Sequence, residues 1–418
     1  AYTVAINACL NGEHLGWISN VNVTVGENLL DAVKGELERV HASKNKTMLA
    51  IWEEGRTDIV GYHADLTKLY SDKTPTEITG DALIFDSTTT QVYINYLPNP
   101  DTHYKVKHVL ETLDPRHPWE TNDTDELTGE TGTTVTATPR TKYKGFTFDK
   151  DNENNVLSGV IKGDGSLVLS VYYIRNIYNV TFDLNGGNVN GSADSIDVAV
   201  KYGATLNADQ IPSPSRDGYD FAGWYTTADG EAEADLTAPV EGNCTVYAKW
   251  TARNDTPYTI RYFTENLDGS WAEDEPYHGK GTTDTTIVAT EVNEKSYDDF
   301  TLDLTVAGTV SEGVIAGDGS LVLKLYFTRN TYNYEVRHIK QLSDGSYDEE
   351  HAEVETLSGK FEEIATVNAK DDGPHYPSND AASKQNIKIA KNLVIEVRYD
   401  LDTHTLRFDS NGGSAVSP

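Results

Sequence analysis

The sequence predicts an α+β, mostly β chain, built as a tandem array of small modules that together form an elongated rod. The main observation is internal repetition, because residues 159–176 recur almost letter for letter as residues 313–330. Each copy contains a Gly-Asp-Gly-Ser turn signal, followed by a run in which apolar residues alternate, as in a strand with one buried face. In the second copy the predicted buried positions are Leu321, Leu323, Leu325 and Phe327.

The chain is strongly acidic, with a formal net charge of −32 and a pI near 4.6. Phosphate backbones and anionic lipid surfaces repel such a chain, so nucleic acid is not expected as a partner. The sequence shows no signal peptide and no long apolar run, so membrane insertion is not expected either. Two cysteines, Cys9 and Cys244, lie in strand-like runs and are predicted to be buried free thiols.

Residues 1–98 are predicted to form a first module with a pattern of its own. Asn28 is a suitable N-cap with Asp31 three residues later, and apolar residues at helical spacing then indicate one amphipathic helix over residues 29–40. A hairpin, a helix and further strands in that order are typical of a β-grasp (ubiquitin-like) domain, so the expected modules are β-grasp-like. The strands are predicted over residues 2–6, 21–25, 48–52 and 92–96.

Three further stretches share a common plan: residues 99–176, 253–330 and 331–403. Each opens with a Tyr-x-Val/Ile-x-His/Tyr strand, and the first two close with Gly-Asp-Gly-Ser-Leu-Val-Leu. These motifs resemble the mucin-binding-protein (MucBP-like) repeats of Gram-positive surface proteins. The third stretch departs from the pattern, because Ala-Lys-Asn at 390–392 replaces the Gly-Asp-Gly turn.

Residues 177–252 are predicted to form a module of a different kind. Four motifs follow in order: Tyr-Asn-Val-Thr-Phe-Asp-Leu-Asn-Gly-Gly, Tyr-Gly-Ala-Thr-Leu, Arg-Asp-Gly-Tyr-Asp-Phe-Ala-Gly-Trp-Tyr and Val-Tyr-Ala-Lys-Trp. This order closely resembles the internalin B-repeat, also called the Listeria–Bacteroides repeat, which is a small β-grasp-like module. Trp224 and Trp250 stand in these motifs and are predicted core rings. A repeated Phe-Asp-x-Asn-Gly-Gly motif indicates that residues 404–418 begin a second, truncated copy.

No constellation for catalysis or metal binding emerges, so we expect no enzyme activity, no cofactor and no bound metal. Adjacent acidic residues are common, but a glycosidase needs two carboxylates that face each other across a cleft. The histidines show no zinc-site spacing, and His108 and His338, each on a predicted strand, are expected to be partly exposed. Residues 149–153 resemble the start of a calcium loop but lack its central glycine and closing glutamate, which favours a structural turn.

An aromatic residue follows the first turn in each of the three MucBP-like stretches: Trp119, Trp271 and Tyr347. If these rings are exposed, they are candidate binding residues that could stack on sugar rings or anchor a protein ligand. If they fold inward, they cap a hairpin. The sequence favours the inward arrangement and leaves the binding role open.

Two classes of function follow from this organisation. Short linkers between modules of similar size favour a non-catalytic stalk or adhesin segment of a bacterial cell-wall-anchored surface protein, which spaces or presents a binding tip. The MucBP-like resemblance implies the alternative, in which the repeats themselves bind host mucin glycans or another host glycoprotein. Both imply an extracellular location on the bacterial surface, and we expect a monomer in solution.

Overall fold

The computed structural model describes residues 1–74, 76–292, 294–370, 373–377 and 384–407. These residues form strands far more often than helices, so the expectation of a mostly β fold is confirmed. The second copy expected from residue 404 falls mainly beyond residue 407, outside the described part of the chain. In the described ranges we find no helix with the length and apolar character needed to cross a membrane.

The chain divides into two compact units, of which we describe the residues given above. The first unit draws on Ala1–Thr181, Asp197–Ile211 and Asp235–Thr245. The second unit draws on Phe182–Ile196, Pro212–Ala234 and Val246–Pro418. Five main β-sheets, which we number sheet 1 to sheet 5, follow one another along the chain.

Sheet 1 lies in the first unit and has its first and last strands side by side at its centre. Its elements are β1 (Tyr2–Leu10), β2 (Glu13–Val23), α1 (Leu29–Glu38), β3 (Val40–His41), β4 (Lys46–Thr47), α2 (Met48–Glu53), β5 (Tyr62–Ala64) and β6 (Gln91–Pro98). The strand order is β2-β1-β6-β5, and β1 runs parallel to β6. Parallel neighbours require a crossover connection, which here contains α1 and α2.

Helix α1 begins as the sequence predicts. The side-chain oxygen of Asn28 accepts a hydrogen bond from the backbone N–H of Asp31 at 3.1 Å. This cap satisfies one of the N–H groups that a helix start leaves without a partner. The buried face of the helix has helical spacing and consists of Leu29, Val33 and Leu37.

The strand expected over residues 48–52 is wrong, because these residues form helix α2. The Oγ1 atom of Thr47 accepts a hydrogen bond from the backbone N–H of Ala50 at 3.1 Å, which caps the helix. The ring of Trp52 then lies 5.9 Å from the ring of Tyr96 on β6. Packing of this short helix on the sheet has therefore overridden the local strand pattern.

Sheets 2 and 3 come next along the chain. Sheet 2 and its small ladder contain β7 (Thr102–Glu111), β8 (Trp119–Gly129), β9 (Thr134–Thr136), β10 (Phe146–Phe148), β11 (Ser158–Val160) and β12 (Val168–Arg175). Its order is β10-β12-β7-β8 with β7 and β12 parallel, and β9 pairs with β11. Sheet 3 contains β13 (Ile177–Asp183), β14 (Ile196–Lys201), β15 (Tyr219–Tyr225) and β16 (Cys244–Ala252), in the order β14-β13-β16-β15.

Sheets 4 and 5 repeat the plan of sheet 2. Sheet 4 and its ladder contain β17 (Thr256–Glu265), β18 (Trp271–Glu273), β19 (Tyr277–Gly281), β20 (Thr286–Val288), α3 (Ala289–Val292), β21 (Phe300–Leu302), β22 (Glu312–Val314) and β23 (Val322–Arg329). Its order is β18-β17-β23-β21, with β19 also on β17 and with β20 paired to β22. Sheet 5 contains β24 (Thr331–Lys340), β25 (Glu353–Lys360), β26 (His375–Pro377) and β27 (Val394–Leu401), in the order β25-β24-β27-β26. Parallel central pairs recur, β17 with β23 and β24 with β27.

Sheets 1, 2, 4 and 5 each bury a separate hydrophobic cluster. In sheet 4 the alternation predicted from the repeat is confirmed, since Leu323, Leu325 and Phe327 are buried and Leu321 packs at the cluster's margin. In sheet 3, Trp224 is buried as predicted, whereas Trp250 is only half-buried. The buried apolar side chains of these four sheets thus form separate small cores rather than one continuous core.

The expectation that His108 and His338 are partly exposed is wrong, because each is only 1% exposed. Each ring lies on the inner face of its sheet, where a tyrosine on the last strand hydrogen bonds to it. The Nδ1 atom of His108 is 2.9 Å from the hydroxyl of Tyr173, and that of His338 is 2.7 Å from the hydroxyl of Tyr399. Burial lowers the pKa of both imidazoles.

The two cysteines differ in burial. Cys9 is buried on β1, as predicted, and burial raises the pKa of its thiol. Cys244 is exposed, so its predicted burial is wrong. It is the first residue of β16 and precedes the part of that strand that packs into the sheet.

Candidate functional site

Trp119, the first of the three candidate binding residues, lies half-buried on the outer face of sheet 2. Its ring meets the ring of Tyr172 edge-on, with 5.1 Å between the ring centres. Trp119 starts the edge strand β8, directly across from Glu111 at the end of β7. Trp119 thus packs on its own sheet without being fully buried.

Trp271 repeats this arrangement in sheet 4. Its ring meets Tyr326 edge-on at 4.8 Å, and Phe263 stacks on the same tyrosine at 4.7 Å. Trp271 stands across from Glu265, the last residue of β17. Such ring pairs add stability beyond the area they bury.

Tyr347 occupies the corresponding place in sheet 5. Its hydroxyl donates a hydrogen bond to the carboxylate of Asp400, and the guanidinium of Arg398 lies 5.3 Å from its ring centre. Its backbone bridges to Gln341. The three candidates are not brought together, because each lies in a different sheet, and each combines the inward and the exposed arrangement.

Glu111 and Glu265, which the sequence does not single out, lie opposite Trp119 and Trp271 on the neighbouring strands. Each stands close to the point where one sheet is joined to the next. Four such joints link successive sheets, and all share one backbone frame. In each, a connector residue donates its N–H to the preceding sheet and accepts an N–H from the following sheet at its carbonyl. The connectors are Asn99, Asn176, Arg253 and Asn330.

The joint after sheet 2 is held by charged side chains around Glu111. Arg175 donates its backbone N–H to Oε2 of Glu111 at 2.8 Å and its Nε–H to the Glu111 carbonyl at 3.0 Å. Lys201, which belongs to the next sheet, pairs with Oε1 of Glu111 at 2.5 Å. Arg175 also reaches across and donates to the carbonyl of Tyr202 at 2.7 Å. One glutamate and one arginine therefore contact both sheets.

The joint after sheet 4 has the same construction. Arg329 donates its backbone N–H to Oε2 of Glu265 at 2.9 Å and its Nε–H to the Glu265 carbonyl at 2.8 Å. From the next sheet, Lys360 pairs with the Glu265 carboxylate, and the carbonyl of Phe361 accepts from Arg329 at 3.0 Å. We call these two joints the charged joints.

The side chain of Glu265 is only 11% exposed. Burial by itself would raise the pKa of Glu265, but hydrogen bonds from Lys360 and from the Arg329 backbone outweigh it and hold the pKa below its usual range. The Arg329 guanidinium also lies 5.1 Å from the ring centre of Phe300. The site combines fixed charges with aromatic packing, and it positions two sheets rather than a substrate.

The joint after sheet 1 depends on glycine instead. A Cβ atom added to Gly163 would lie 1.8 Å from the carbonyl oxygen of Val60, and one added to Gly61 would lie 2.2 Å from the Cα of Gly163. The two backbones therefore touch where no side chain fits. Beside them, the hydroxyls of Thr102 and Thr131 share a buried hydrogen bond of 2.7 Å.

The joint after sheet 3 repeats this contact. A Cβ atom on Gly317 would lie 2.0 Å from the carbonyl oxygen of Asp217, and one on Gly218 would lie 2.4 Å from the Cα of Gly317. Thr256 and Thr283 again share a buried hydrogen bond of 2.7 Å. We call these two the glycine joints. The first glycine of each Gly-Asp-Gly motif thus serves a joint as well as a turn.

A spacing signal in the sequence could have pointed to the charged joints. In both repeats the glutamate precedes the arginine by 64 residues. Pairs of equal spacing in two copies of a repeat are candidates for a shared contact. Nothing in a single sequence shows, however, that Lys201 and Lys360 from the following sheets complete the clusters.

One part of the chain matches a known family model. Residues 178–249 are a Listeria-Bacteroides repeat domain. The match covers most of sheet 3 and confirms the resemblance seen in the four motifs of that stretch. The model does not extend to the other sheets.

Two proteins of Evansella cellulosilytica are similar to part of the chain. One, named as a candidate membrane protein, is 23% identical over 257 residues, which cover 54% of this chain and 36% of the relative. The other, named as a candidate Gly-rich membrane protein, is 25% identical over 250 residues and covers 54% of this chain and 27% of the relative. The similarity thus spans about a third of these relatives' length.

Two solved structures show weak similarity. The crystal structure of Mub-RV has 13% sequence identity and a TM-score of 0.13, and it covers 55% of this chain and 99% of its own. The shaft pilin spaA from Lactobacillus rhamnosus GG has 12% identity and a TM-score of 0.08, and it covers 78% of this chain and 97% of its own. TM-scores this low do not establish a shared fold.

Within the described ranges, no group of three or more His, Cys, Asp or Glu side chains could hold a metal ion. A polar cleft beside the first charged joint is lined by Glu111, Glu120, Phe146 and Arg175. Glu111 and Arg175 already bind each other there. The charges of this cleft thus contribute to the joint.

Proposed function

We propose that this chain is a non-catalytic stalk or adhesin segment of a bacterial surface protein, which spaces or presents a binding region. The observation that carries the proposal is the repetition of the joints. Arg175 and Arg329 share three contacts, to the glutamate carboxylate, to the glutamate carbonyl and to a carbonyl of the next sheet, and the glycine contacts also occur twice. Joints that fix backbone and side chains together restrict the angle between successive sheets, as a spacer requires.

In this proposal each sheet is the centre of a small β-grasp-like module. The central parallel pair of first and last strands and the crossover in sheet 1 support that fold. The proposed bounds are 1–98, 99–176, 177–252, 253–330 and 331–403, and residues 404–418 would begin a further repeat. The names of the relatives and the Listeria-Bacteroides repeat support a place at the bacterial surface, to which we add cell-wall anchoring and a monomeric state.

A second candidate function is binding of host mucin glycans or another host glycoprotein by the repeats themselves. The favouring observation is that Trp119, Trp271 and Tyr347 stand at equivalent places on three sheets and that each residue is only half-buried. Aromatic faces of this kind can stack on sugars or anchor a protein ligand.

Negative-stain electron microscopy of the intact chain tests the stalk function. We expect elongated particles with a narrow range of bend angles. The double variant Glu111→Ala and Glu265→Ala should widen that range, because both charged joints lose their central acceptor. Glu273→Ala, which removes an exposed partner of Arg261, is the matched control and should leave the range unchanged. Globular wild-type particles would refute the proposal.

A further inference from the structure

The two kinds of joint alternate along the chain. Glycine joints precede sheets 2 and 4, and charged joints precede sheets 3 and 5. Since the backbone frame is common to all four, the difference between the kinds must lie in side chains. The residue whose N–H binds the connector carbonyl, which we call the incoming residue, is Thr131, Tyr202, Thr283 or Phe361.

The incoming residue always stands in the same backbone context. It is followed by a residue with left-handed backbone, with φ angles of 83°, 77°, 64° and 65° in sheets 2 to 5. These residues are Gly132, Gly203, Asp284 and Glu362. The incoming position is therefore structurally constant, and only its chemistry changes.

In the glycine joints the incoming residue is a buried threonine. Thr131 is 4% exposed and Thr283 is 2% exposed. The Oγ1 of Thr283 donates to the carbonyl of Gly218 at 2.8 Å. A side chain of this size leaves room for the backbone contact between Gly218 and Gly317, which a ring would displace.

In the charged joints the incoming residue is an aromatic ring preceded by lysine. The ring of Tyr202 lies 5.9 Å from that of Phe146, and the ring of Phe361 lies 6.2 Å from that of Phe300. Each incoming ring thus contacts a ring of the preceding sheet. The preceding lysine then reaches the joint glutamate of the sheet before it.

Sheet 5 provides an internal comparison, because it receives a charged joint and lacks the glycine turn. Ile389 corresponds to Ile315, since a Cβ on the neighbouring glycine would lie 2.5 Å from the Cδ1 of either one. Five residues separate Ile315 from Leu321, but three separate Ile389 from Leu393. Among the three MucBP-like sheets, sheet 5 thus lacks the Gly-Asp-Gly turn, and the joint that precedes it is a charged joint.

We propose that the incoming residue decides which kind of module end a sheet accepts. A threonine, together with the Gly-Asp-Gly turn of the same sheet, fits a preceding module that has a glycine at the contact. An aromatic ring preceded by lysine fits a preceding module that presents the glutamate–arginine pair. The side chains at the module ends then determine the order in which modules can follow one another. This property goes beyond a spacing function and does not depend on it.

Hydrogen exchange of the intact chain, read by mass spectrometry, tests this specificity. Thr283→Phe should speed exchange of the amides of Arg253 and residue 283 by about tenfold or more, because the joint opens locally. Phe361→Thr should do the same to the amide of residue 361 in the other kind of joint. The conservative variants Thr283→Ser and Phe361→Tyr should exchange like the wild type.

Thr286→Phe, which places the same ring at an exposed position on β20, is the control for a general effect of the ring. Core amides such as that of Leu323 report whether sheet 4 stays folded. If it unfolds in Thr283→Phe, the Phe361 pair of variants decides the matter alone. Wild-type exchange at the joint in Thr283→Phe, or no difference between Phe361→Thr and Phe361→Tyr, would overturn the proposal.

Discussion

The backbone N–H of Arg329 donates to the carboxylate of Glu265 at 2.9 Å across 64 residues of chain. The bond ties the last residue of β23 to the last residue of β17, two parallel neighbours at the centre of sheet 4. The other carboxylate oxygen of Glu265 pairs with Lys360 of the next sheet. The Glu265 side chain thereby links two strands of sheet 4 to each other and links sheet 4 to sheet 5.

Replacing Glu265 tests these two roles separately. In sheet 5 a glutamine already stands at this place, and its Oε1 accepts the Leu401 N–H at 3.1 Å. Glu265→Gln should therefore keep the backbone bond, lose the ion pair and reduce the free energy of unfolding by about 1 kcal/mol. Glu265→Ala should cost about 2–3 kcal/mol, because it also leaves buried donors without an acceptor. Equal losses in thermal or denaturant unfolding would contradict the two roles.

Gly163→Ala and Gly317→Ala should open the glycine joints. The added methyl group would overlap a carbonyl oxygen of the preceding sheet, and overpacking of this kind costs about 1–3 kcal/mol. We expect faster proteolysis at the joint with little change in the melting of the sheets. Gly242→Ala is the control, since a Cβ there has open space around it. Identical cleavage patterns for all three variants would show that the glycine contacts do not hold the joint.

Sheets 2 and 5 should lose stability in mild acid, whereas sheet 4 should not. Burial lowers the pKa of His108, with Arg140 adding to the effect and Asp125 opposing it. Below the ordinary pKa of 6.5, the unfolded chain thus binds more protons than the folded chain. The stability contribution is present in full above pH 6.5 and falls as the pH drops below it.

Sheet 4 is the natural control, because Tyr262 and Phe327 replace the histidine and its tyrosine partner there. The double variant His108→Tyr and Tyr173→Phe copies that pair into sheet 2. We expect hydrogen exchange in β7 to increase between pH 7.5 and pH 5 in the wild type, after correction for the intrinsic rate, and to stay level in the variant. The same increase in both would exclude His108 as the cause.

Trp271→Ala should reduce the free energy of unfolding by about 1–2 kcal/mol, since the ring loses its edge-on contact with Tyr326. Trp17→Ala, at a position that is 56% exposed, should change it much less.

If the repeats bind glycans, Trp119→Ala and Trp271→Ala together should also abolish retention on immobilised mucin. Unchanged retention by this double variant would exclude Trp119 and Trp271 from the proposed binding site.

Local chemistry explains which parts of the fold could be predicted from the sequence. The Asn28 cap and the alternation on β23 need only neighbouring residues, and both were predicted. The strand predicted over residues 48–52 is wrong because the side-chain cap from Thr47 and the packing of Trp52 stabilise a helix there. Long-range packing of this kind leaves no mark in a short window of sequence.

The joints were harder to predict because their partners are distant in sequence. The repeated Gly-Asp-Gly motif has the composition of a turn, and it gives no sign that Gly163 also meets Gly61. His108 was expected to be partly exposed because nothing nearby in the sequence indicates its partner Tyr173. Local motifs predict turns and the alternation along a strand, whereas contacts between residues far apart in the sequence depend on how the chain packs.

Small-angle X-ray scattering of the chain in solution tests most directly whether successive sheets are held apart in series. A compact protein of 418 residues would have a radius of gyration of about 22 Å. We expect a value well above this, with a pair-distance distribution that has a long tail, at low and at high protein concentration alike. A radius near 22 Å with a symmetric distribution would contradict the proposal that this chain is a stalk.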